Sequence, residues 1–199
     1  MKKFMDDDFL LYSESAKELY HNCAEKLPII DYHCHLSPKE IAENKRFSNI
    51  TELWLYGDHY KWRAMRQCGT DEKYITGKSS DYDKFREYCR IMPYLAGNPL
   101  YHWSHLELKR YFDCDLTICP ENCEEIWKIT SKRLQDEDMS AKELIKKSRV
   151  TLLCTTDDPR DSLEHHKAIA DSGYSVKVLP AFRPDKGLNI DKPDFAEYI

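Results

Sequence analysis

The sequence lacks the features of exported, membrane-bound and nucleic-acid-binding proteins. No apolar run approaches the ~18 residues that a membrane span requires. The chain starts with two lysines followed closely by three aspartates, which no signal-peptide core resembles. Basic runs are short, charges of both signs are interspersed and the formal net charge is −5, so no basic face for nucleic acid is expected. We therefore expect a cytoplasmic protein that binds neither membranes nor nucleic acids.

Cysteine is also too scarce for a disulfide scaffold. The chain has 8 cysteines in 199 residues, below the ~8–10% of disulfide-rich domains, so reduced thiols are expected. Cys114, Cys119 and Cys123 lack paired CxxC spacing, which argues against a structural zinc site. Hydrophobic residues make up 41% and charged residues 33%, a balance that indicates one folded domain or part of a larger one.

The order of predicted elements indicates an α/β fold with a long helical stretch. Residues 13–25 are predicted to be helical, and residues 29–36 form a short apolar run typical of a buried strand. Helical signals then continue from Ser37 to about Ser148. A strand, a helix and a second strand are predicted at 150–156, 157–171 and 176–182. The run 150–156 is nearly all apolar or β-branched, which predicts a strand buried on both faces, as in parallel sheets. This βαβ order predicts a parallel sheet.

Local signals set where individual helices begin and which face they bury. Ser37 and Ser140 each precede a glutamate three residues later, the signature of a capping box. Asp58 and Asn98 are placed to cap two further helices. The spacing after Asn98 predicts that one side of that helix carries Leu100, Trp103, Leu106 and Tyr111.

His33 and His35 are the first candidate functional residues. Two residues apart on a predicted strand, their imidazoles point to the same face, where they suit a divalent ion such as Zn²⁺. The end of a parallel strand is a common ligand position, although two capping or solvated histidines remain the alternative. The helical histidines His102, His105, His165 and His166 are assigned no function.

His59 and Tyr60 begin a predicted helix that is rich in basic residues. They are candidates for contacts with an anionic, hydroxyl-rich substrate. The alternative is an amphipathic surface helix with Trp62 buried.

Arg183 directly follows the last predicted strand and is followed by Pro184 and Asp185. An arginine at a strand end can bind a substrate carboxylate through both arms of its guanidinium, and a surface ion pair with Asp185 is the alternative. At the end of the preceding strand, Asp157 or Asp158 is expected to cap the helix that follows.

These residues lie in longer strings that resemble the uronate isomerase (glucuronate isomerase) family. The strings are residues 30–38 (IDYHCHLSP), 57–66 (GDHYKWRAMR), 98–108 (NPLYHWSHLEL), 155–159 (TTDDP) and 181–185 (AFRPD). They are long, occur in the family's order and span nearly the whole chain. The resemblance therefore rests on several independent parts of the sequence.

The resemblance implies an amidohydrolase-superfamily architecture, a distorted (β/α)₈ TIM-like barrel with a large helical insertion after the first strand. Residues 1–36 would form an N-terminal helix and the first barrel strand, 37–148 the insertion, and 149–199 the second and third barrel strands with helices. Family members are more than twice as long, which implies that a metal-ligating aspartate of the last strand and other active-site residues lie beyond Ile199. We therefore expect residues 1–199 alone to be inactive.

The resemblance also implies an activity: D-glucuronate and D-fructuronate, or D-galacturonate and D-tagaturonate, would interconvert by proton transfer from C2 to C1. The family's metal pair falls on His33 and His35, with zinc as the expected ion, its catalytic and substrate-contacting pair on His59 and Tyr60, and its carboxylate-binding arginine on Arg183. A metal-dependent hydrolase of the same superfamily and a docking module without activity are the alternatives. The preferred uronate, the native metal and assembly into a homo-oligomer stay open.

Overall fold

The computed structural model describes residues 4–199, which form a three-stranded parallel sheet and a set of mostly short helices. The strands are β1 (Ile29–Asp31), β2 (Val150–Asp157) and β3 (Lys177–Phe182). The α-helices are α1 (Glu14–Leu19), α2 (Pro38–Ala42), α3 (Ile50–Leu55), α4 (His59–Gln67), α5 (Asp81–Ile91), α6 (Pro99–Phe112), α7 (Cys123–Arg133), α8 (Ala141–Lys147), α9 (Glu164–Asp171), α10 (Asp185–Leu188) and α11 (Phe195–Tyr198). A π-helical turn covers Tyr20–Ala24, and 3₁₀ turns cover Glu72–Tyr74, Met92–Leu95, Pro120–Asn122 and Glu137–Met139. Across residues 4–199, no helix is both long and apolar enough to cross a bilayer.

The chain divides into two compact units. The helical unit contains the residues up to Cys23 and Arg46–Ser140. The sheet unit contains Ala24–Lys45 and Ala141–Ile199, and therefore all three strands. The segments 1–36, 37–148 and 149–199 stay a prediction about the organisation of the fold.

The sheet confirms the predicted βαβ order. Its strands run β1-β2-β3, and both neighbouring pairs are parallel. The β2–β3 register extends from Leu152 opposite Lys177 to Asp157 opposite Phe182, so the two strands end together. Helices α2, α8 and α9 pack in this unit around an apolar core of Ile41, Ile145, Leu153, Ile169, Val176 and Val178.

Two predictions about the strands were wrong. The first strand ends at Asp31 rather than Leu36, and its two isoleucines, Ile29 and Ile30, are exposed. Beyond it the Asp31 carboxylate accepts a hydrogen bond from His33 N–H at 3.3 Å, within a bend. The prediction that β2 is buried on both faces was also wrong, since burial in β2 alternates and only its helix-facing positions are fully covered.

The helical unit packs around large buried side chains. Phe85, Tyr88 and Cys89 of α5 are fully buried. On the predicted face of α6, Leu100 is buried and Leu106 and Tyr111 are half-buried, but Trp103 is 56% exposed, so its place on that face was wrong. The buried side of α6 carries Ser104, His105, Leu108 and Phe112 in addition to Leu100.

Three of the five predicted helix caps are confirmed. Ser37, Asp58 and Asn98 each accept a hydrogen bond from a backbone N–H in the first turn of the helix that follows. At the fourth, the Ser140 hydroxyl is buried without a partner among the described residues. The Asn44 side chain accepts the N–H of Lys142 at 3.0 Å instead, so the start of α8 is capped from a distant part of the chain.

Candidate functional site at the carboxyl edge of the sheet

The carboxyl ends of the three parallel strands carry most of the candidate residues. His33 and His35 follow β1, Asp157 ends β2, and Arg183 follows β3. Backbone hydrogen bonds continue past the strands here, from Cys34 N–H to the carbonyl of Cys154 and from Arg183 N–H to that of Asp157, at 2.9 and 3.0 Å. The sheet therefore brings the histidine pair and the arginine to the same edge.

The two histidines lie side by side although they are outside the strand. Their ring centroids are 5.0 Å apart, the rings meet edge to face, and both side chains are exposed. The Nδ1 atom of His35 lies 3.4 Å from the hydroxyl of Thr156 on β2. This contact, at the limit of a hydrogen bond, leaves Nε2 of His35 as the nitrogen available to a ligand.

The pair fits two positions of a metal site. Two neighbouring imidazoles are ordinary ligands of a borderline divalent ion, and the hydroxyl beside His35 is the kind of outer contact that orients such a ligand. Nowhere in residues 4–199 do three or more His, Cys, Asp or Glu side chains group so that they could hold a metal ion. The described residues thus bring together two possible nitrogen ligands, fewer than the four that a tetrahedral site needs.

Arg183 is half-exposed and forms the ion pair that the sequence raised as an alternative. Its Nε donates to the carboxylate of Asp185 at 2.6 Å. Because that bond uses Nε, the outer edge formed by the two Nη groups remains available for a second carboxylate. The ion pair and a substrate contact are therefore compatible.

The carboxylate of Asp157 faces away from the histidine pair. It is buried on the helix-facing side of β2, together with the hydroxyl of Thr155 and the imidazole of His166. The sequence prediction passed over His166, because nothing local links a histidine on α9 to the strand eleven residues earlier.

The prediction that Asp157 or Asp158 caps the next helix was wrong. Helix α9 starts at Glu164, and its N-cap residue, Leu163, provides no side-chain cap. Asp158 instead closes a turn by accepting the N–H of Arg160 at 3.0 Å. The helix is delayed because this turn, which contains Pro159, uses the capping carboxylate.

His59 and Tyr60 belong to the helical unit, where they form the first turn of α4. Both are exposed. His59 packs edge to face on Trp62, with 4.7 Å between ring centroids, and the Arg63 guanidinium lies 6.0 Å from the centre of the Tyr60 ring. Trp62 is half-buried, less covered than the surface-helix alternative predicts.

The two histidines of α6, to which no function was assigned, make packing and hydrogen-bond contacts with neighbouring residues. His105 Nδ1 lies 2.6 Å from the carbonyl of Tyr101, and its Nε2 accepts the N–H of Ile118 at 2.8 Å. Burial lowers the pKa of His105, which favours the neutral ring that these two bonds require. His102 packs against Phe9 with 5.2 Å between ring centroids.

The fold and the site define a class: an α/β protein whose polar candidate residues lie at the carboxyl edge of a parallel sheet. The glucuronate isomerase family model matches residues 1–199. The chain therefore belongs to the glucuronate isomerase family.

Relatives named uronate isomerase are similar in sequence to this chain over its whole length. The uronate isomerase of Brachyspira hyodysenteriae is 58% identical over 204 residues, and that of Endomicrobium trichonymphae is 56% identical over 200 residues. Each comparison covers 100% of this chain and 43% of the relative. The chain thus spans less than half the length of these curated relatives.

Two crystal structures share the fold. A uronate isomerase from Thermotoga maritima superimposes with a TM-score of 0.94 at 41% identity, over 99% of this chain and 43% of the other. A glucuronate isomerase from Caulobacter crescentus gives a TM-score of 0.81 at 24% identity, over 87% of this chain and 38% of the other. The second likeness concerns the fold alone.

Proposed function

We propose that this chain takes part in uronate isomerisation, the interconversion of D-glucuronate with D-fructuronate and of D-galacturonate with D-tagaturonate. The observation that carries the proposal is that His33, His35 and Arg183 all follow the carboxyl ends of strands in one parallel sheet. The family match over the whole chain supports the same activity. We further propose that the sheet is part of a (β/α)₈ barrel of the amidohydrolase type, in a cytoplasmic enzyme.

Arg183 would bind the carboxylate that distinguishes uronates from neutral hexoses. Asp185 holds Nε at 2.6 Å and so orients the guanidinium, whose Nη edge can bind both carboxylate oxygens. A charge-assisted hydrogen bond of this kind contributes ~1.5–3 kcal/mol. Selectivity for acidic sugars would follow from this residue.

His33 and His35 would hold a divalent cation, and we propose Zn²⁺ on the basis of their nitrogen donors. When bound, such an ion acts as a Lewis acid that polarises and orients substrate oxygens. Thr156 would keep the His35 ring in place through the contact at Nδ1.

His59 and Tyr60 would bind sugar oxygens or move the proton between C2 and C1. Imidazole and phenol groups are both among the side chains that act as general acids and bases, as an aldose–ketose isomerisation by an enediol requires. The first turn of α4 presents both side chains from one rigid element, because Asp58 caps it.

The proposal is tested with the purified product of the complete gene, assayed for conversion of glucuronate and galacturonate and, in parallel, for ester and amide hydrolysis. Arg183→Met should raise KM for glucuronate by about one to two decades, and Arg183→Lys should rescue only part of the loss. Lys177→Met, at the opposite end of β3, is the matched control and should leave KM unchanged. Wild-type kinetics for Arg183→Met would remove the carboxylate assignment, and hydrolysis without isomerisation would favour a metal-dependent hydrolase.

The histidine pair is tested through metal content. The double variant His33→Ala with His35→Ala should lose bound metal together with isomerisation, because both proposed nitrogen ligands are removed. His165→Ala, a half-buried histidine of the same unit, is the control and should retain both. Unchanged metal occupancy in the double variant would exclude the pair as ligands.

A further inference from the structure

A buried hydrogen-bond chain connects β2 to α9 directly behind the proposed carboxylate-binding arginine. Thr155 and Asp157 lie two residues apart on β2 and share its helix-facing side, where each is less than 10% exposed. His166 of α9 is equally buried and reaches the same point. Three polar side chains buried together need a reason, because burying a charge without partners is expensive.

The directions of the hydrogen bonds follow from the atoms present. The Thr155 hydroxyl donates its single proton to Oδ2 of Asp157 at 2.7 Å. His166 Nε2 lies 2.7 Å from the same hydroxyl oxygen, so it must act as the donor. The imidazole thus donates to Thr155, and Thr155 donates to Asp157, whose other carboxylate oxygen is 3.6 Å from Nε2.

The chain ends at the backbone that carries Arg183. The carbonyl of Asp157 accepts the N–H of Arg183 at 3.0 Å, one residue past the last paired position of β3, Phe182. Fixing the Asp157 side chain therefore fixes the peptide group to which the arginine is bonded. Thr156, between the two buried residues, points to the other face and contacts His35.

We propose that Thr155, Asp157 and His166 are positioning residues for Arg183, an inference that rests on the proposed function. Their side chains face the helices, so they touch no substrate at the face that carries the histidine pair. Their effect passes through the Asp157 carbonyl to the backbone of Arg183 and so to the placement of its guanidinium. Loss of the chain should weaken carboxylate binding more than it slows turnover.

The first test compares isosteric changes at two threonines of one strand in the complete gene product. Thr155→Val keeps the shape and removes the hydroxyl, and it should raise KM for glucuronate about three- to tenfold with kcat within about twofold. Thr155→Ser retains a hydroxyl and should stay close to wild type. Thr151→Val, at the exposed start of β2, is the control and should leave both constants unchanged.

A double-mutant cycle shows whether the effect passes through the arginine. In an Arg183→Met background, Thr155→Val should change KM by less than about twofold, because the group it positions is gone. A merely structural network would give the same additional loss in both backgrounds. Equal losses, or a wild-type KM for Thr155→Val alone, would overturn the inference.

Amide hydrogen exchange gives a readout that does not depend on activity. Thr155→Val should speed exchange of the Arg183 amide at least about threefold, while the Lys177 amide at the start of β3, which by strand alternation also faces β2, stays unchanged. If the gene product shows no uronate isomerisation, the proposed function fails, yet this experiment still tests the positioning chain. Unchanged exchange at Arg183 would refute it.

Discussion

Replacing Asp58 should destabilise the protein by two separable routes, since one carboxylate both caps α4 and neutralises Lys61. Its Oδ1 accepts the N–H groups of Tyr60 and Lys61 at 2.9 and 3.0 Å. Its Oδ2 lies 2.7 Å from Lys61 Nζ, and the lysine side chain is only 9% exposed. The ammonium therefore depends on its carboxylate partner rather than on water.

The size of each effect follows from this geometry. Losing the cap costs about 1 kcal/mol. A buried ion stripped of its partner costs about 3–5 kcal/mol, and we expect about 2–3 here, because Asp58 is 28% exposed and the buried Glu107 carboxyl also faces Lys61. Asp58→Ala should then cost about 3–4 kcal/mol, and Asp58→Ser, which retains a capping oxygen, about 2–3 kcal/mol. Lys61→Met keeps the cap and removes the buried charge, so it should cost less than about 1 kcal/mol.

Urea unfolding at pH 7, followed by circular dichroism, measures these free energies on the complete gene product. The expected order of loss is Asp58→Ala, then Asp58→Ser, then Lys61→Met. An Asp58→Ser variant as stable as wild type would show that the ion pair contributes nothing. If Lys61→Met lowered the free energy of unfolding as much as Asp58→Ala does, the ion pair itself would be stabilising. The effect of Asp58→Ala would then not come from leaving a buried ammonium without a partner.

The same pair predicts a pH dependence. Burial alone would raise the pKa of Asp58, but the Lys61 ammonium and the two backbone N–H groups outweigh it, so the pKa lies below its ordinary value. A lowered pKa adds stability that is present above the unfolded carboxyl's pKa of about 4 and is lost as pH falls below it. As the pH falls from 5 to below the carboxyl's pKa, Asp58→Ser should therefore lose less stability than wild type. Equal losses would contradict the assignment of this pH dependence to Asp58.

Two further stability predictions concern the same helical unit. Tyr88→Phe should cost about 1–2 kcal/mol in urea unfolding, because its buried phenol bonds the Ser104 hydroxyl at 2.8 Å, while the exposed Tyr94→Phe should be neutral. Gly69→Ala should cost about 1–2 kcal/mol, because Gly69 follows the end of α4 with φ +72°, whereas Gly57→Ala has open space, no positive φ and no such cost. Equal effects within either pair would contradict the reasoning.

Strand order and the starts of several helices were predictable, because their signals are local. The βαβ unit follows from two β-rich apolar runs separated by a helix, and β2 begins at the predicted residue, Val150. Ser37, Asp58 and Asn98 cap their own first turns, so a few neighbouring residues contain the whole signal.

The errors arose where a polar group finds a distant partner. The buried face of α6 includes Ser104 and His105, which hydrophobic spacing alone treats as exposed. Ser104 bonds Tyr88 and His105 bonds the N–H of Ile118, so both are satisfied by other parts of the chain. The start of α8 is another case, where Asn44 replaces the expected serine cap. No local pattern contains these pairings.

Because side chains alternate along a strand, the string TTDD (residues 155–158) places polar side chains on both faces of the sheet. Thr155 and Asp157 point to the helices, while Thr156 points to the face of His35. A shift of one residue in β2 would reverse these directions, burying Thr156 and removing both the positioning chain and the contact with the histidine pair. The buried hydrogen bonds to His166 oppose such a shift, because they would be left unpaired. The polar chain behind the sheet therefore fixes the register on which the arrangement of the candidate site depends.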